Sequence, residues 1–138
     1  MNSVLRTLGV LSTLLILGSG VALAQMGGIP NLSAKELQER LEEPDVLVVD
    51  TRSPQEYYRG HIPGAINITS QQTRMFHNIA RYLPQDRNMT LVFYCRGETC
   101  SLAPDAAVAA MRSGYQSVYT YRGGLPDWEQ QGLPIEHP

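Results

Sequence analysis

Cys95 and Cys100 are the two cysteines of this 138-residue chain, and one short segment holds both of them. The segment follows an apolar run, residues 91–94, that suits a buried strand, and it precedes a helical pattern that starts near Ser101. Thiolate is the nucleophilic form of cysteine, and inward backbone N–H groups and the positive end of a helix both stabilise it. We therefore expect Cys95 to be a catalytic nucleophile. The rest of the loop is expected to bind the substrate: Arg96, Gly97, Glu98, Thr99, Cys100 and Ser101.

Cys100 also supports a second interpretation. In an oxidising compartment, two cysteines this close in sequence can form a disulfide or act as attacking and resolving thiols. The protein would then be a thiol–disulfide exchanger, or a binding domain whose loop is locked by a bond between Cys95 and Cys100. A loop that turns its N–H groups inward tends to direct its side chains outward, so the two sulfurs are expected to miss disulfide geometry unless the loop moves. Both interpretations stay open at this point.

Asp50 and Arg52 follow another apolar run, residues 46–49. The carboxyl ends of parallel strands lie at one edge of a sheet, where ligands bind in open α/β folds. We expect Asp50 and Arg52 to pair there and to hold the loops beside Cys95. His61 lies in a Gly-His-Ile-Pro-Gly segment, and we expect it to brace a turn. The three histidines are dispersed and show no metal-ligand spacing, so we expect no metal and no other cofactor.

Strand and helix patterns alternate along the chain. Continuous apolar runs predict buried strands, and Ser-x-x-Glu capping boxes at Ser33 and Ser53 predict two helix starts. The alternation predicts an α/β fold with a parallel sheet covered on both faces. The predicted strands are residues 46–49, 65–68, 91–94 and 118–121. Two helices are predicted to begin at Ser33 and Ser53, and a third is predicted over residues 70–83. A fourth is predicted over residues 101–112, with Leu102, Ala106, Ala109 and Ala110 on one face, and a short fifth helix is predicted to contain Trp128.

The first residues predict a secretory signal peptide. Arg6 precedes an apolar run, glycines follow it, and Ala22-Leu23-Ala24 supplies small residues at the cleavage site. We expect residues 1–24 to be removed, residues 25–28 to be a linker and residues 29–138 to form one domain. An uncleaved membrane anchor is the alternative. We therefore expect the protein to be exported, in a bacterium to the periplasm, and to have no membrane contact after cleavage.

The composition fits a globular domain. Hydrophobic residues make up 43% of the chain and charged residues 17%, which is too apolar for a disordered protein. Lys and Arg number 11 against 13 Asp and Glu, so the net charge is −2 and no basic excess favours binding to nucleic acid. Two cysteines are too few for a disulfide scaffold.

Four segments in chain order carry a family resemblance. Residues 48–57 read VVDTRSPQEY, residues 60–68 read GHIPGAINI, residues 93–96 read FYCR, and residues 121–124 read YRGG, followed by Trp128, Gly132 and Pro134. Over residues 29–135 the chain resembles the single-domain rhodaneses, the thiosulfate sulfurtransferase family. The resemblance implies a rhodanese-like, doubly wound, mainly parallel sheet of about five strands, with helices on both faces.

The resemblance also implies the chemistry. Cys95 would attack the outer sulfur of thiosulfate, or of a persulfide or polysulfide, and carry that sulfur as a persulfide. Cyanide, a thiol or a partner protein would then accept it. The backbone N–H groups from Arg96 to Ser101 would stabilise the negative persulfide, and Arg96 would attract an anionic donor.

Two residues depart from the loop pattern of this family. Cys100 stands where many members carry a second basic residue, and Glu98 stands where glycine is common. A carboxylate at Glu98 is expected to offset the charge of Arg96 and to raise the pKa of a neighbouring thiol. Thiosulfate, a dianion, is then expected to be a poorer donor than a neutral persulfide or polysulfide. Ser101 excludes the related phosphatases, because their Cys-x5-Arg signature needs an arginine at this position to clamp phosphate.

Overall fold

The computed structural model describes residues 28–138. The predicted signal peptide, residues 1–24, lies outside the described residues, as do residues 25–27 of the predicted linker. Among residues 28–138, no helix combines the length and the hydropathy that are needed to cross a bilayer.

Four parallel strands form the sheet. β2 lies on one side of β1 and β3 lies on the other, so the winding of the chain reverses between them. In such sheets this switch point, at the carboxyl ends of β1 and β3, is where ligands bind. Each of the four predicted strands is confirmed within about two residues. The strands are β1 (Val46–Asp50), β2 (Ile66–Asn67), β3 (Thr90–Tyr94) and β4 (Ser117–Tyr121), and their order across the sheet is β2-β1-β3-β4.

Helices cover both faces of the sheet, which confirms the doubly wound α/β architecture. They are α1 (Ala34–Arg40), α2 (Pro54–Arg59), α3 (Leu102–Arg112) and α4 (Gly124–Gln130), with one 3₁₀ turn at Ile79–Arg81. Alternate residues of β1 and β3 enter two separate cores. One core joins Val49, Leu91, Phe93 and Val118 to α3 and the 3₁₀ turn. The other joins Val48, Val92, Tyr94 and Tyr121 to Leu37 of α1 and Trp128 of α4.

The fifth strand that the resemblance implied is reduced to one residue. Asn31 forms a parallel bridge with Thr120 beside β4. The N–H of Leu32 donates to the carbonyl of Thr120 (2.8 Å), and the N–H of Thr120 donates to the carbonyl of Pro30 (3.0 Å). The pairing extends no further because Pro30 has no N–H to donate and Ser33 already caps α1. The sheet therefore has four strands rather than five.

Both predicted capping boxes are present. Ser33 Oγ accepts a hydrogen bond from the N–H of Glu36 (3.2 Å), and the Glu36 carboxylate accepts one from the N–H of Ser33 (2.7 Å). Ser53 and Glu56 repeat the arrangement at α2, with Pro54 at the start of the helix. Each cap stabilises its helix by about 1 kcal/mol.

The helix predicted over residues 70–83 is wrong. This segment is a series of turns that contains only the 3₁₀ turn, and Arg74, Met75 and Phe76 have positive φ angles of 52°, 56° and 70°. The hydroxyl of Thr73 donates to the carbonyl of Thr69 (2.7 Å) and accepts from the N–H of Phe76 (2.9 Å). A side chain that binds nearby backbone groups in this way competes with the hydrogen bonds of a helix.

The helix predicted over residues 101–112 is confirmed as α3, but its buried face differs from the predicted one. Ala106 and Ala110 are buried as expected, whereas Leu102 and Ala109 are only partly buried. Ala103 and Ala107 take their places against the sheet. These four buried alanines have short side chains, so α3 packs close to β3 and β4.

Leu37→Ala tests the core between α1 and the sheet. Leu37 is fully buried, so its truncation should lower the free energy of unfolding by about 2–5 kcal/mol in urea titrations. Met111→Ala is the control, because Met111 on α3 is 44% exposed and its truncation should change stability by about 0.5 kcal/mol or less. Equal losses in the two variants would contradict this assignment of the core.

Candidate active site

Cys95 lies at the switch point of the sheet, immediately after β3, and only 2% of its surface is exposed. The loop that it opens runs through Ser101 to α3. The N–H of Leu125 donates to the carbonyl of Cys95 (3.2 Å), and the N–H of Cys100 donates to the carbonyl of Gly97 (3.1 Å). The predicted nucleophile thus lies at the edge of the sheet where an α/β fold binds ligands.

Cys95 and Cys100 form a disulfide bond. Their Cα atoms are 6.3 Å apart, within the usual range for a disulfide. The expectation that the two sulfurs miss each other is wrong, because the chain turns at Gly97, whose φ is 142°, and the N–H of Cys100 closes that turn. A disulfide sulfur is not a nucleophile, so the bond must be reduced before Cys95 can attack anything.

The loop presents backbone N–H groups that have no protein acceptor. Within residues 28–138, no acceptor binds the N–H of Gly97, Glu98, Thr99 or Ser101. Glu98, Thr99 and Ser101 are exposed. Consecutive N–H groups of this kind are available to water or to an anion.

Arg96 forms an ion pair with Glu56, which the sequence pattern marked only as part of a helix cap. Its Nε lies 2.6 Å from Glu56 Oε1, and its Nη2 lies 2.6 Å from Glu56 Oε2. The hydrogen bonds from the Arg96 guanidinium lower the pKa of Glu56 to about 2. Glu56 therefore stays ionised at neutral pH and compensates the charge of Arg96.

Glu98 does not offset Arg96, contrary to the expectation from the sequence. Its Oε2 lies 3.7 Å from Nε of Arg122, and Nη2 of Arg122 donates to the Glu98 carbonyl (3.1 Å). No local pattern relates Glu98 to Arg122, or Arg96 to Glu56, because these partners meet only through the tertiary fold. Glu56 and Arg122 are thus residues of the site that the sequence did not indicate.

Asp50 and Arg52 form a buried ion pair, as predicted. Arg52 Nη2 lies 2.7 Å from Asp50 Oδ2, and the same nitrogen donates to the carbonyl of Gly60 (2.7 Å). The hydroxyl of Tyr94 donates to Asp50 Oδ2 (2.7 Å) and accepts from the N–H of Ile62 (3.1 Å). One carboxylate therefore connects the ends of β1 and β3 to the turn that follows α2.

Two further contacts hold the residue before Cys95. The N–H and the hydroxyl of Thr51 both donate to the carbonyl of Tyr94, at 3.0 and 2.9 Å. Burial, together with the Asp50 carboxylate, raises the pKa of Tyr94, so its hydroxyl stays protonated and keeps donating to Asp50. Tyr94, the residue that leads into Cys95, is thus held both through its main-chain carbonyl and through its side-chain hydroxyl.

His61 braces its turn, as predicted. Its Nδ1 lies 3.0 Å from the carbonyl of Tyr57, and its ring stacks on the Tyr57 ring with 3.8 Å between centroids. Its backbone pairs with that of Glu136. None of these contacts involves the Cys95 loop. Among residues 28–138, no group of three or more His, Cys, Asp or Glu side chains is arranged to hold a metal ion.

Gly124 packs directly against the backbone of the loop. A Cβ atom at this position would lie 2.5 Å from the carbonyl oxygen of Cys95 and 2.8 Å from the nitrogen of Gly97. Its φ of 65° also disfavours any residue with a side chain. The glycine is therefore required for the close approach of α4 to the loop.

Tyr94→Phe tests the hydrogen-bond network around Asp50. Loss of the hydroxyl leaves the buried N–H of Ile62 without its acceptor and should lower the free energy of unfolding by about 1–3 kcal/mol. Tyr58→Phe removes the same atom from a side chain that is 65% exposed and should change stability by about 0.5 kcal/mol or less. Urea titrations of both variants provide the comparison, and a neutral Tyr94→Phe would contradict the assigned network.

Gly124→Ala tests the contact between α4 and the loop, with Gly132→Ala as its control. Both glycines have left-handed φ angles, 65° and 70°, but a Cβ at Gly132 would meet no atom within 4 Å. Gly132→Ala should therefore cost only the conformational strain, about 1–2 kcal/mol. Gly124→Ala should cost about 1–3 kcal/mol more, because the methyl group collides with backbone. Equal losses in urea titrations would argue against the close contact.

Comparisons with known proteins agree with the family resemblance that the four sequence segments carry. The family model of the rhodanese-like domain matches residues 33–131. A sulfurtransferase of Allochromatium vinosum is 34% identical over 113 residues, which are 80% of this chain and 97% of that protein. An HTH-type transcriptional regulator of Mycobacterium tuberculosis is 39% identical over 118 residues, 84% of this chain. The matched region is only 50% of the regulator's length.

A solved structure has the same fold. The crystal structure of a thiosulfate sulfurtransferase from Pseudomonas aeruginosa aligns with a TM-score of 0.64 and 25% identity, over 85% of this chain and 21% of that one. The family match covers α1 through α4 and includes the whole Cys95 loop. The chain belongs to the rhodanese-like family.

Proposed function

We propose that the reduced protein is a sulfurtransferase that carries sulfane sulfur as a persulfide on Cys95. The observation that carries this proposal is the position of Cys95. It opens a loop at the switch point of a parallel sheet, and the loop's N–H groups at Gly97, Glu98, Thr99 and Ser101 have no acceptor within residues 28–138. Such groups stabilise both a thiolate and the terminal negative sulfur of a persulfide.

The transfer takes place in two displacements. The Cys95 thiolate attacks the outer sulfur of the donor, the sulfur–sulfur bond of the donor breaks, and its electron pair leaves with the remainder, which is sulfite when the donor is thiosulfate. A nucleophile such as cyanide or a thiol then attacks the outer sulfur of the Cys95 persulfide. The Cys95 thiolate leaves with the electron pair, and cyanide becomes thiocyanate. Neither step needs a metal or an organic cofactor.

The charges of the loop favour a donor with little negative charge. Glu56 already compensates Arg96 through two hydrogen bonds of 2.6 Å, and Glu98 adds a second carboxylate beside Arg122. A dianion gains little attraction from such a loop. We therefore place neutral persulfides and polysulfides ahead of thiosulfate as donors, with cyanide, a thiol or a partner protein as acceptors.

We also propose that the protein is exported. The motif in residues 1–24 supports this, because it has the charge, the apolar run and the small residues of a signal peptide. An oxidising compartment such as the periplasm also allows the Cys95–Cys100 disulfide to persist.

Thiol–disulfide exchange is the second candidate function, and the disulfide itself favours it. In that case Cys95 and Cys100 would pass electrons to another protein, and the rhodanese-like fold would serve as a scaffold. A reduced wild-type protein that exchanges with a peptide disulfide but takes no sulfur from any donor would support this candidate.

Cys95→Ser and Cys100→Ser form a matched pair that tests the sulfurtransferase proposal. Each protein is reduced, desalted and supplied with cyanide and either thiosulfate or inorganic polysulfide, and thiocyanate is measured. Cys95→Ser should form no thiocyanate, because a serine hydroxyl cannot carry sulfane sulfur, whereas Cys100→Ser should retain transfer. Circular dichroism establishes that both variants are folded. Thiocyanate formation by folded Cys95→Ser, above the rate without protein, would refute the proposal.

A further inference from the structure

We propose that Cys100 resolves the Cys95 persulfide and releases its sulfur as hydrosulfide, so that without a sulfur acceptor the protein produces one sulfide for each reduction by a dithiol. This inference rests on the proposed persulfide chemistry of Cys95. The disulfide between Cys95 and Cys100 is the product that this resolving step would leave behind.

The observed bond identifies the sulfur that Cys100 can reach. Its Sγ is joined to the Sγ of Cys95, which becomes the inner sulfur of a persulfide. Attack on the inner sulfur forms a disulfide and expels the outer sulfur, whereas attack on the outer sulfur would only move the persulfide to Cys100. Which sulfur is attacked decides the product of a thiol–persulfide reaction, as in thiol–disulfide exchange.

The loop keeps the two cysteines together. Their Cα atoms are 6.3 Å apart, the Cys100 N–H closes a turn on the Gly97 carbonyl, and the Cys95 carbonyl is held by the N–H of Leu125. A thiol fixed at such a distance reacts as a neighbouring group, with an effective concentration far above that of any thiol in solution.

The step balances in atoms and electrons. The thiol of Cys100 loses its proton, and its sulfur bonds to the inner sulfur of the Cys95 persulfide. The bond between the inner and the outer sulfur breaks, and the electron pair goes to the outer sulfur, which takes the proton and leaves as hydrosulfide. The two cysteines are oxidised by two electrons, and the sulfane sulfur is reduced by two. A dithiol reductant is then needed to regenerate both thiols.

Acceptors and Cys100 would therefore compete for the same persulfide. A strong acceptor takes the outer sulfur and leaves Cys95 reduced. Without an acceptor, Cys100 ends the persulfide state within one turnover and leaves the oxidised form, which cannot load again until a dithiol reduces it. The product then depends on the supply of acceptor and reductant.

A single-turnover experiment without oxygen tests this proposal. Reduced and desalted wild type, Cys100→Ser, Cys100→Ala and Cys95→Ser are each mixed with a stoichiometric amount of thiosulfate. Inorganic polysulfide followed by rapid desalting replaces thiosulfate if thiosulfate does not load Cys95. Sulfite is measured in the thiosulfate reactions, sulfide is trapped with a bimane reagent, and intact masses and peptide maps are recorded.

The wild type should release sulfide in a stoichiometric amount and become lighter by two hydrogens as the disulfide forms. Cys100→Ser and Cys100→Ala should retain the added sulfur on Cys95 and release sulfide at least ~100-fold more slowly. Cys95→Ser should take no sulfur.

Two results would overturn the inference while the proposed sulfurtransferase function stands. One is a wild-type persulfide as long-lived as that of the Cys100 variants, and the other is sulfur recovered on Cys100 without release of sulfide. Failure of the wild type and both Cys100 variants to load sulfur from either donor would overturn the proposed function, and the inference with it.

Discussion

The buried carboxylate of Asp50 is the constraint on which the geometry around Cys95 depends. A carboxylate without exposure costs several kcal/mol unless charges and hydrogen bonds compensate it. Here Arg52 supplies the charge and the Tyr94 hydroxyl supplies a further hydrogen bond. Arg52 also binds the carbonyl of Gly60, and the Tyr94 hydroxyl also binds the N–H of Ile62. The interactions that compensate the Asp50 charge therefore also fix two strand ends and a turn. Cys95 directly follows Tyr94 and is positioned by that network.

The four sequence segments that mark the family are joined to one another by contacts, and the residues that make these contacts fix backbone rather than perform chemistry. The first segment supplies the Asp50–Arg52 pair and Glu56, which binds Arg96. The last segment supplies Gly124, which allows α4 to approach the Cys95 carbonyl, and Arg122, which binds Glu98. The loop is thus held by the first and the last segments, which are distant from it in sequence, while several of its own N–H groups have no acceptor within residues 28–138.

Local patterns predicted much of this arrangement. Continuous apolar runs indicated β1 and β3, shorter apolar-rich segments indicated β2 and β4, and capping boxes indicated the starts of α1 and α2. The polar residues that end the two apolar runs indicated the edge that carries the site. The predictions failed where side-chain hydrogen bonds to the backbone, or tertiary contacts, decide the structure instead of the local pattern. The apolar spacing of residues 70–83 suggested a helix, but the Thr73 side chain stabilises turns instead. The partners of Arg96 and Glu98, and the closeness of the two cysteines, depend on tertiary contacts and loop conformation that no spacing encodes.

The disulfide makes the redox state of the loop central to this account, because Cys95 can accept sulfur only after the bond to Cys100 is reduced. The most direct measurement is the intact mass, with peptide mapping, of the non-reduced wild type and of reduced Cys100→Ser before and after treatment with thiosulfate or polysulfide. We predict that Cys100→Ser, which cannot form the disulfide, gains one sulfur atom on Cys95, and that the non-reduced wild type gains none. Reduced Cys100→Ser that accepts no sulfur from either donor, or that accepts it at a residue other than Cys95, would contradict this prediction.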